Sequence, residues 1–237
     1  MMQFYQFVDM QDGDRVMRRV RLPQRCKALR KGDPMKSFEV VLRGVTPLMQ
    51  SKWNQEELLA MHRKDKKKFV APLELRDAAA AKVYVTADKK KPMVPAEVLM
   101  ACLIGAGKYI KLDGKRQMST AKSTMLPGFL RLEASHFLLE THDGKEAPWE
   151  VDIRPGRNPN GDQGVAIVRP RFDEWQLRVP VSIDVEQIPE KTIRELFDYA
   201  GSRCGLQEFR PERKGIYGQF VVVQWGETKK KRSRSAA

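Results

Sequence analysis

Between Tyr199 and Val223 the chain reads YAGSRCGLQEFRPERKGIYGQFVVV, a stretch whose residue types suit the gripping of an anion. Gly201, Gly205, Gly215 and Gly218 let the backbone approach a ligand closely and adopt positive φ. Successive exposed N–H groups in such a turn form a nest for anions. Arg203, Arg210, Arg213 and Lys214 add cations, the arginines as planar forks matched to phosphate. Tyr217 offers a face on which a base can stack, worth about 1–3 kcal/mol per base. Phe209 has the same chemistry and equally suits a core position that closes the loop. The competing reading is a helix-to-strand connection whose glycines only make turns.

Two further basic groups stand apart from this loop. Arg154, Arg157, Arg169 and Arg171 bracket a segment dense in Pro, Gly and Asn, and arginine without lysine favours phosphate or stacking contacts over mere solubility. Lys64, Lys66, Lys67 and Lys68 supply charge without geometry, as a binding arm or a solvated face. Trp53, in the polar context Gln50-Ser51-Lys52-Trp53-Asn54, reads as a stacking platform, a wedge between protomers, or a side chain buried beneath an insertion. Catalytic chemistry has less to draw on. His62 reads as a surface histidine on an amphipathic helix, and His136 and His142 flank an expected hairpin with no evident partner. No spaced pair of acids marks acid–base or two-metal work. Cys26, Cys102 and Cys204 are too scattered for zinc, and Cys102 falls on an apolar helix face. No catalytic residue, metal or cofactor is assigned.

Composition bounds the partner. The 237 residues suffice for one large domain, and 41% hydrophobic content is enough for a core, while the formal net charge is +14. The segment after Gly226 holds Lys229, Lys230, Lys231, Arg232 and Arg234 against Glu227, so four of the +14 sit there and the body keeps +10. Such a body calls for a polyanion, most often nucleic acid, bound through phosphates with strong salt dependence. No apolar run approaches a membrane span, the N-terminal residues lack the order of a signal peptide, and no basic amphipathic helix suits a membrane surface. An odd number of separated cysteines suits a reducing, cytoplasmic setting.

The elements that position these groups follow from periodicity. Strands are predicted over 38–45, 129–133, 174–185 and 219–225, and helices over 95–108 and 189–201, each opened by a proline. Shorter strands are predicted at 82–86, 137–140 and 149–153, and a helix around Gln55–Lys64. Trp175, Leu177, Val179, Val181, Ile183 and Val185 alternate with polar residues, and Pro180 in that run suggests an edge position or a bulge. Arg154-Pro155-Gly156-Arg157-Asn158-Pro159-Asn160-Gly161 reads as a loop. The strongest elements give the order β-α-β-β-α-β, an α+β, ferredoxin-like and RRM-like core with two large insertions, about 46–94 and 134–173. Residues 1–226 then form one domain, and 227–237 a disordered basic tail.

Three segments resemble RAMP proteins, the ferredoxin-like subunits of CRISPR ribonucleoproteins. Leu42-Arg43-Gly44-Val45-Thr46-Pro47-Leu48 resembles their first strand and its Gly-x-Thr-Pro-Leu exit. Met93-Val94-Pro95-Ala96-Glu97-Val98-Leu99 is similar to the segment opening their first helix, with Ala96-Glu97-Val98 where the family carries Gly-Ser-Ser. Gly205 to Phe220 is similar to their C-terminal glycine-rich loop, here with an Arg-Pro-Glu-Arg-Lys insert. Order and spacing match the Cas-seven-type backbone subunits, and the chain also resembles proteins of similar length from tailed phages and prophages. The resemblance implies a RAMP-type fold and a subunit that coats a guide or other single-stranded RNA, pairs it with a complementary target strand, and self-associates along it. It places an RNA-contacting insertion at Arg154–Arg171. It leaves open a metal-independent endoribonuclease using His62, or a phage protein that mimics such subunits. No segment matches the acidic cleavage loop of some backbone subunits, so no catalytic aspartate is carried over.

Overall fold

The computed structural model describes residues 5–9, 15–19, 35–53, 59, 62–63, 74–88, 90–112, 114–157 and 164–228. By contact the chain divides into two units, residues 1–33 and 34–237. The first contains an antiparallel hairpin of β1 (Tyr5–Asp9) and β2 (Arg15–Arg19), with Tyr5 opposite Arg19, where the sequence pattern predicts no element.

The second unit is mixed α/β, with mostly antiparallel sheets and few helices. At its centre β3 (Met35–Gly44) pairs on one side with β13 (Phe220–Thr228) and on the other with β12 (Gln176–Asp184), which pairs in turn with β8 (Leu130–Leu132). The order is β13-β3-β12-β8, antiparallel throughout. Alternation puts Phe38, Val40 and Leu42 of β3 and Leu177, Val179, Val181 and Ile183 of β12 into the core, with Trp175 just ahead of them. The two strongest helices close over that layer. α2 (Ala96–Ala106) contributes Leu99, Cys102, Leu103 and Ala106, and α3 (Glu190–Tyr199) contributes Ile193, Leu196 and Phe197, all in one hydrophobic cluster. Pro95 and Pro189 are their N-caps, where a missing N–H is harmless.

A second sheet has the order β10-β11-β4, from β10 (Glu150–Arg157), β11 (Gly164–Phe172) and β4 (Leu48–Met49), and β5 (Met93–Pro95) pairs with β9 (His136–Leu138). Gln50, fully buried beside it, donates to the Met93 carbonyl and accepts from the Tyr84 N–H, both at 2.8 Å. Those two bonds tie together segments 34 and 43 residues away in sequence.

Several expectations are corrected. Lys82–Thr86 is a turn followed by an isolated bridge from Val85 to Pro92, with α1 (Leu75–Ala80) before it. Of the helix expected at Gln55–Lys64, Leu59, His62 and Arg63 are helical and the rest lies outside the described residues. Arg154 to Arg157 is strand, not loop: β10 is an edge strand, and an edge tolerates the donor missing from Pro155. Pro180 is the converse, since it lies in an interior strand. Its carbonyl accepts from Glu133 N–H at 2.9 Å, so its nitrogen faces the same side, and the donor it lacks falls just past Leu132, where the pairing with β8 ends. The last strand runs to Thr228, two residues into the segment read as tail, with Glu227 opposite Phe38 and Thr228 opposite Ser37.

Candidate nucleic-acid interface

β10 and β11 form a long hairpin in which Glu150 faces Arg171 and Asp152 faces Arg169. Residues two apart on a strand share a face, so Glu150, Asp152 and Arg154 line up opposite Arg169 and Arg171. Asp152 is nearly buried and accepts from Arg154 through Nε at 2.7 Å and Nη2 at 3.2 Å. Arg171 donates to the same carboxylate at 3.3 Å and holds Asp173 through two bonds of 2.8 and 3.1 Å. Its fork also reaches Glu150 at 3.4 Å. The Arg154 hydrogen bond, reinforced by Arg171 and opposed by burial, keeps the Asp152 carboxyl below the ordinary aspartate range.

The glycine-rich loop lies against this hairpin. α3 runs into a π-helical turn, Ala200–Cys204, after which Gly205 takes φ +73°. The loop's donors then turn inward. Leu206 N–H donates to Gly218 O at 2.8 Å, Tyr217 to Phe209 O at 2.9 Å, and Gly215 to Arg210 O at 3.0 Å. Glu208 donates to Met49 O at 3.2 Å, Gly218 to Pro47 O at 2.8 Å, and Gln219 to Thr46 Oγ1 at 3.0 Å. The expected backbone anion nest is therefore not formed, because these N–H groups bind the loop to itself and to the exit of β3. Gly218 shows the reason for glycine here: φ is +70°, and a Cβ would stand 2.0 Å from the Leu206 carbonyl oxygen. The glycine serves a close approach of the chain to itself.

Aromatic residues of the loop meet the arginines of the hairpin. The Arg154 guanidinium carbon lies 4.8 Å from the Tyr217 ring centre and 5.5 Å from that of Phe209, and Arg154 also donates to the Tyr217 hydroxyl. Arg169 lies 5.3 Å from the Phe209 ring and pairs with Glu208 at 3.2 Å. Phe209 has φ +53°, a conformation a bulky residue adopts only when its surroundings hold it. Those surroundings are the Tyr217 N–H donated to its carbonyl, the close-packed backbone of Gly215, and the two guanidiniums against its ring.

The structure thus brings together Arg154, Arg169, Arg171 and Tyr217 from the sequence-predicted set. The cluster is not a positive patch, since its three guanidiniums are matched by Glu150, Asp152, Asp173 and Glu208. Arg210 turns back onto Glu212 at 3.1 Å and the Gln207 carbonyl at 2.7 Å. Arg203, Arg213 and Lys214 are exposed and make no ion pair among the described residues. Trp53 is 53% exposed, which removes the buried reading. Arg157 ends β10 by its backbone, its side chain lying outside the description, and Lys64, Lys66, Lys67 and Lys68 lie outside the described residues. His62 is exposed on its helical turn. The carboxylates escaped the sequence reading, although Asp152-x-Arg154 and Arg171-x-Asp173 carry the same-face spacing of a strand.

Among the described residues no group of three or more His, Cys, Asp or Glu side chains could hold a metal ion. No described helix is long and apolar enough to cross a membrane.

No family profile and no curated protein sequence matches the chain. A chain of the cryo-EM structure of the type III-B Cmr-beta bound to cognate target RNA is similar in structure, with a TM-score of 0.52 and 10% sequence identity. The match covers 82% of this chain and 61% of that one, so this chain spans about three-fifths of the length of that neighbour. At that identity the likeness is one of fold: the two chains share a fold across most of this protein.

Proposed function

We propose that this chain is a RAMP-type subunit that binds single-stranded RNA, coats it along its backbone and self-associates along it. The observation that carries the reading is the fold shared with a chain of an RNA-bound Cmr complex over 82% of this protein. Two features support it. The strand order β13-β3-β12-β8, with α2 between the first and second core strands and α3 between the third and fourth, fits a ferredoxin-like β-α-β-β-α-β core. The net charge of +14 suits a partner held through phosphates.

In this reading the direct contacts are Trp53, Arg203, Arg213 and Lys214, which are exposed, together with Arg157 and the Lys64–Lys68 group. Arg154, Arg169, Arg171 and Tyr217 shape the surface by locking the hairpin to the loop, and meet RNA only with the edges their carboxylates leave open. The function is binding, with the bound RNA's own base pairing supplying specificity.

Fluorescence anisotropy with a labelled single-stranded RNA tests this. Affinity falls at least tenfold between about 50 and 200 mM salt if several phosphates are neutralised. Sedimentation with RNAs of increasing length reports self-association as stepwise growth of the complex. A purified protein that carries no nucleic acid and shows no salt-sensitive affinity for single-stranded RNA overturns the proposal.

A further inference from the structure

Helix α2 ends in a turn that leads directly into a small hairpin of β6 (Lys111–Leu112) and β7 (Arg116–Gln117). Leu112 and Met118 are buried and anchor it, while Met118 N–H donates to Ile110 O and Ser119 N–H to Gly107 O, each at 3.0 Å. With its apolar residues inside, the hairpin leaves Lys111, Lys115, Arg116 and Gln117 exposed. From 108 to 122 the sequence holds Lys108, Lys111, Lys115, Arg116 and Lys122 against a single acid, Asp113. None of the five makes an ion pair among the described residues. The arginine cluster of β10 and β11 is the opposite case, neutralised by its own carboxylates.

An aromatic platform stands in this basic field. Tyr109 is 65% exposed, yet its ring is stacked on Tyr199 of α3, with centroids 5.0 Å apart and planes at 24°. An exposed tyrosine ordinarily loses rotamer freedom when it binds; this one is already held flat, so its open face is preorganised. The neighbouring turn supplies more charge. Tyr199 leads straight into the π-helical turn carrying Arg203, and the Glu212 carboxylate of the following loop lies 3.0 Å from where a Cβ on Gly105 of α2 would stand. The end of α2 and the rim of the glycine-rich loop are therefore adjacent.

We infer that this surface is a second contact for single-stranded nucleic acid, in which Tyr109, backed by Tyr199, stacks an unpaired base while Lys108, Lys111, Arg116 and Arg203 hold flanking phosphates. The inference rests on the RNA-binding reading above and extends it from Arg203, at the rim of the glycine-rich loop, onto the end of α2 and the β6–β7 hairpin, which that reading does not include. A duplex presents no unstacked base to the tyrosine, so a single strand is the fitting ligand. A membrane surface would need an apolar face, and the hairpin turns its apolar residues inward.

The test uses the full chain and labelled oligouridine, with a blunt RNA duplex as control. Tyr109→Ala lowers single-strand affinity about tenfold, Tyr109→Phe keeps it, and duplex binding is unaffected by either. The double variant Lys111→Ser, Arg116→Ser lowers the slope of log affinity against log salt by about 1.4, since each phosphate contact on a single strand contributes roughly 0.7. Ultraviolet crosslinking followed by mass spectrometry places uridine on Tyr109. If Tyr109→Ala unfolds, as read by near-ultraviolet circular dichroism, the charge variant and the crosslink decide. Wild-type RNA binding with variants of unchanged affinity and slope, and no crosslink at Tyr109, overturns this inference and leaves the RNA-binding reading standing. Wild-type protein that binds no RNA overturns both. Loss of an acidic protein partner from the variants, with RNA binding intact, also overturns it.

Discussion

The Asp152 carboxylate accepts both prongs of the Arg154 guanidinium, and that guanidinium lies over the rings of Phe209 and Tyr217 in the glycine-rich loop. The contact joins two parts of the chain 63 residues apart. In the proposed RNA-binding reading Arg154 is a positioning residue. Its charge is matched by Asp152 and its faces by aromatic rings, so its effect on a ligand passes through the relative placement of hairpin and loop. A nearly buried carboxylate that loses its partners leaves charge stranded, which makes the pair costly to break.

Replacing Asp152 by Asn is expected to lower stability by about 1.5–3 kcal/mol, the usual worth of hydrogen bonds to a charged group. The pH dependence has a definite sign. The folded-state value of Asp152 lies below its unfolded value, so its contribution is complete above about pH 4 and is lost as pH falls through the folded value. Urea unfolding of wild type and Asp152→Asn should therefore differ at neutral pH and converge in acid. A difference that grows in acid contradicts the ion-pair account.

Gly44 sits beneath the fully buried Trp175, whose indole N–H donates to the Thr46 carbonyl at 2.8 Å. A Cβ at Gly44 would stand 2.3 Å from that nitrogen, a distance that forces the indole to move. Gly44→Ala is expected to cost about 1–3 kcal/mol through overpacking, read as a lower urea midpoint. Because the displaced indole loses its carbonyl partner and gains water, tryptophan emission shifts to the red. Unchanged stability and emission would mean that Trp175 does not pack on Gly44.

Legibility in the sequence followed the strength of each local pattern. Trp175 to Ile183 alternates with period two over a full strand, and α2 and α3 combine an opening proline with helical spacing, so all three read directly. The β10–β11 hairpin did not, because Pro155 and Gly156 look like breakers until their edge position is known. The candidate site was half legible. Arginines announce themselves by type, whereas the acids that neutralise them are found only once residues 150–154 and 169–173 are seen as facing strands. The sequence pattern likewise shows glycines in the C-terminal loop without showing whether ligand or chain makes the close approach.

Trp53 follows β4 with a half-exposed ring in a polar segment. Trp53→Ala is expected to leave stability within about 0.5 kcal/mol of wild type. If the ring stacks on RNA as proposed, affinity for single-stranded RNA falls by about 1–3 kcal/mol, measured by anisotropy at fixed salt. Equal affinity of variant and wild type removes Trp53 from the interface.

Arg203, Arg213 and Lys214 allow the sharpest separation of binding from architecture. All three are exposed and make no ion pair among the described residues, so no folded-state partner is stranded when they are removed. The triple variant Arg203→Ser, Arg213→Ser, Lys214→Ser should melt close to wild type. Its log affinity for single-stranded RNA should fall less steeply with log salt, by about 2 in slope if each cation meets one phosphate. Arg154→Ala should behave in the reverse way. It strips Asp152 of its main partner and frees the Phe209 and Tyr217 rings, so stability drops while the salt slope changes little, because that guanidinium is already neutralised. If Arg154→Ala instead lowers the slope as much per residue as the rim variants do, its guanidinium leaves Asp152 for a phosphate when RNA binds, and the cluster is a direct contact.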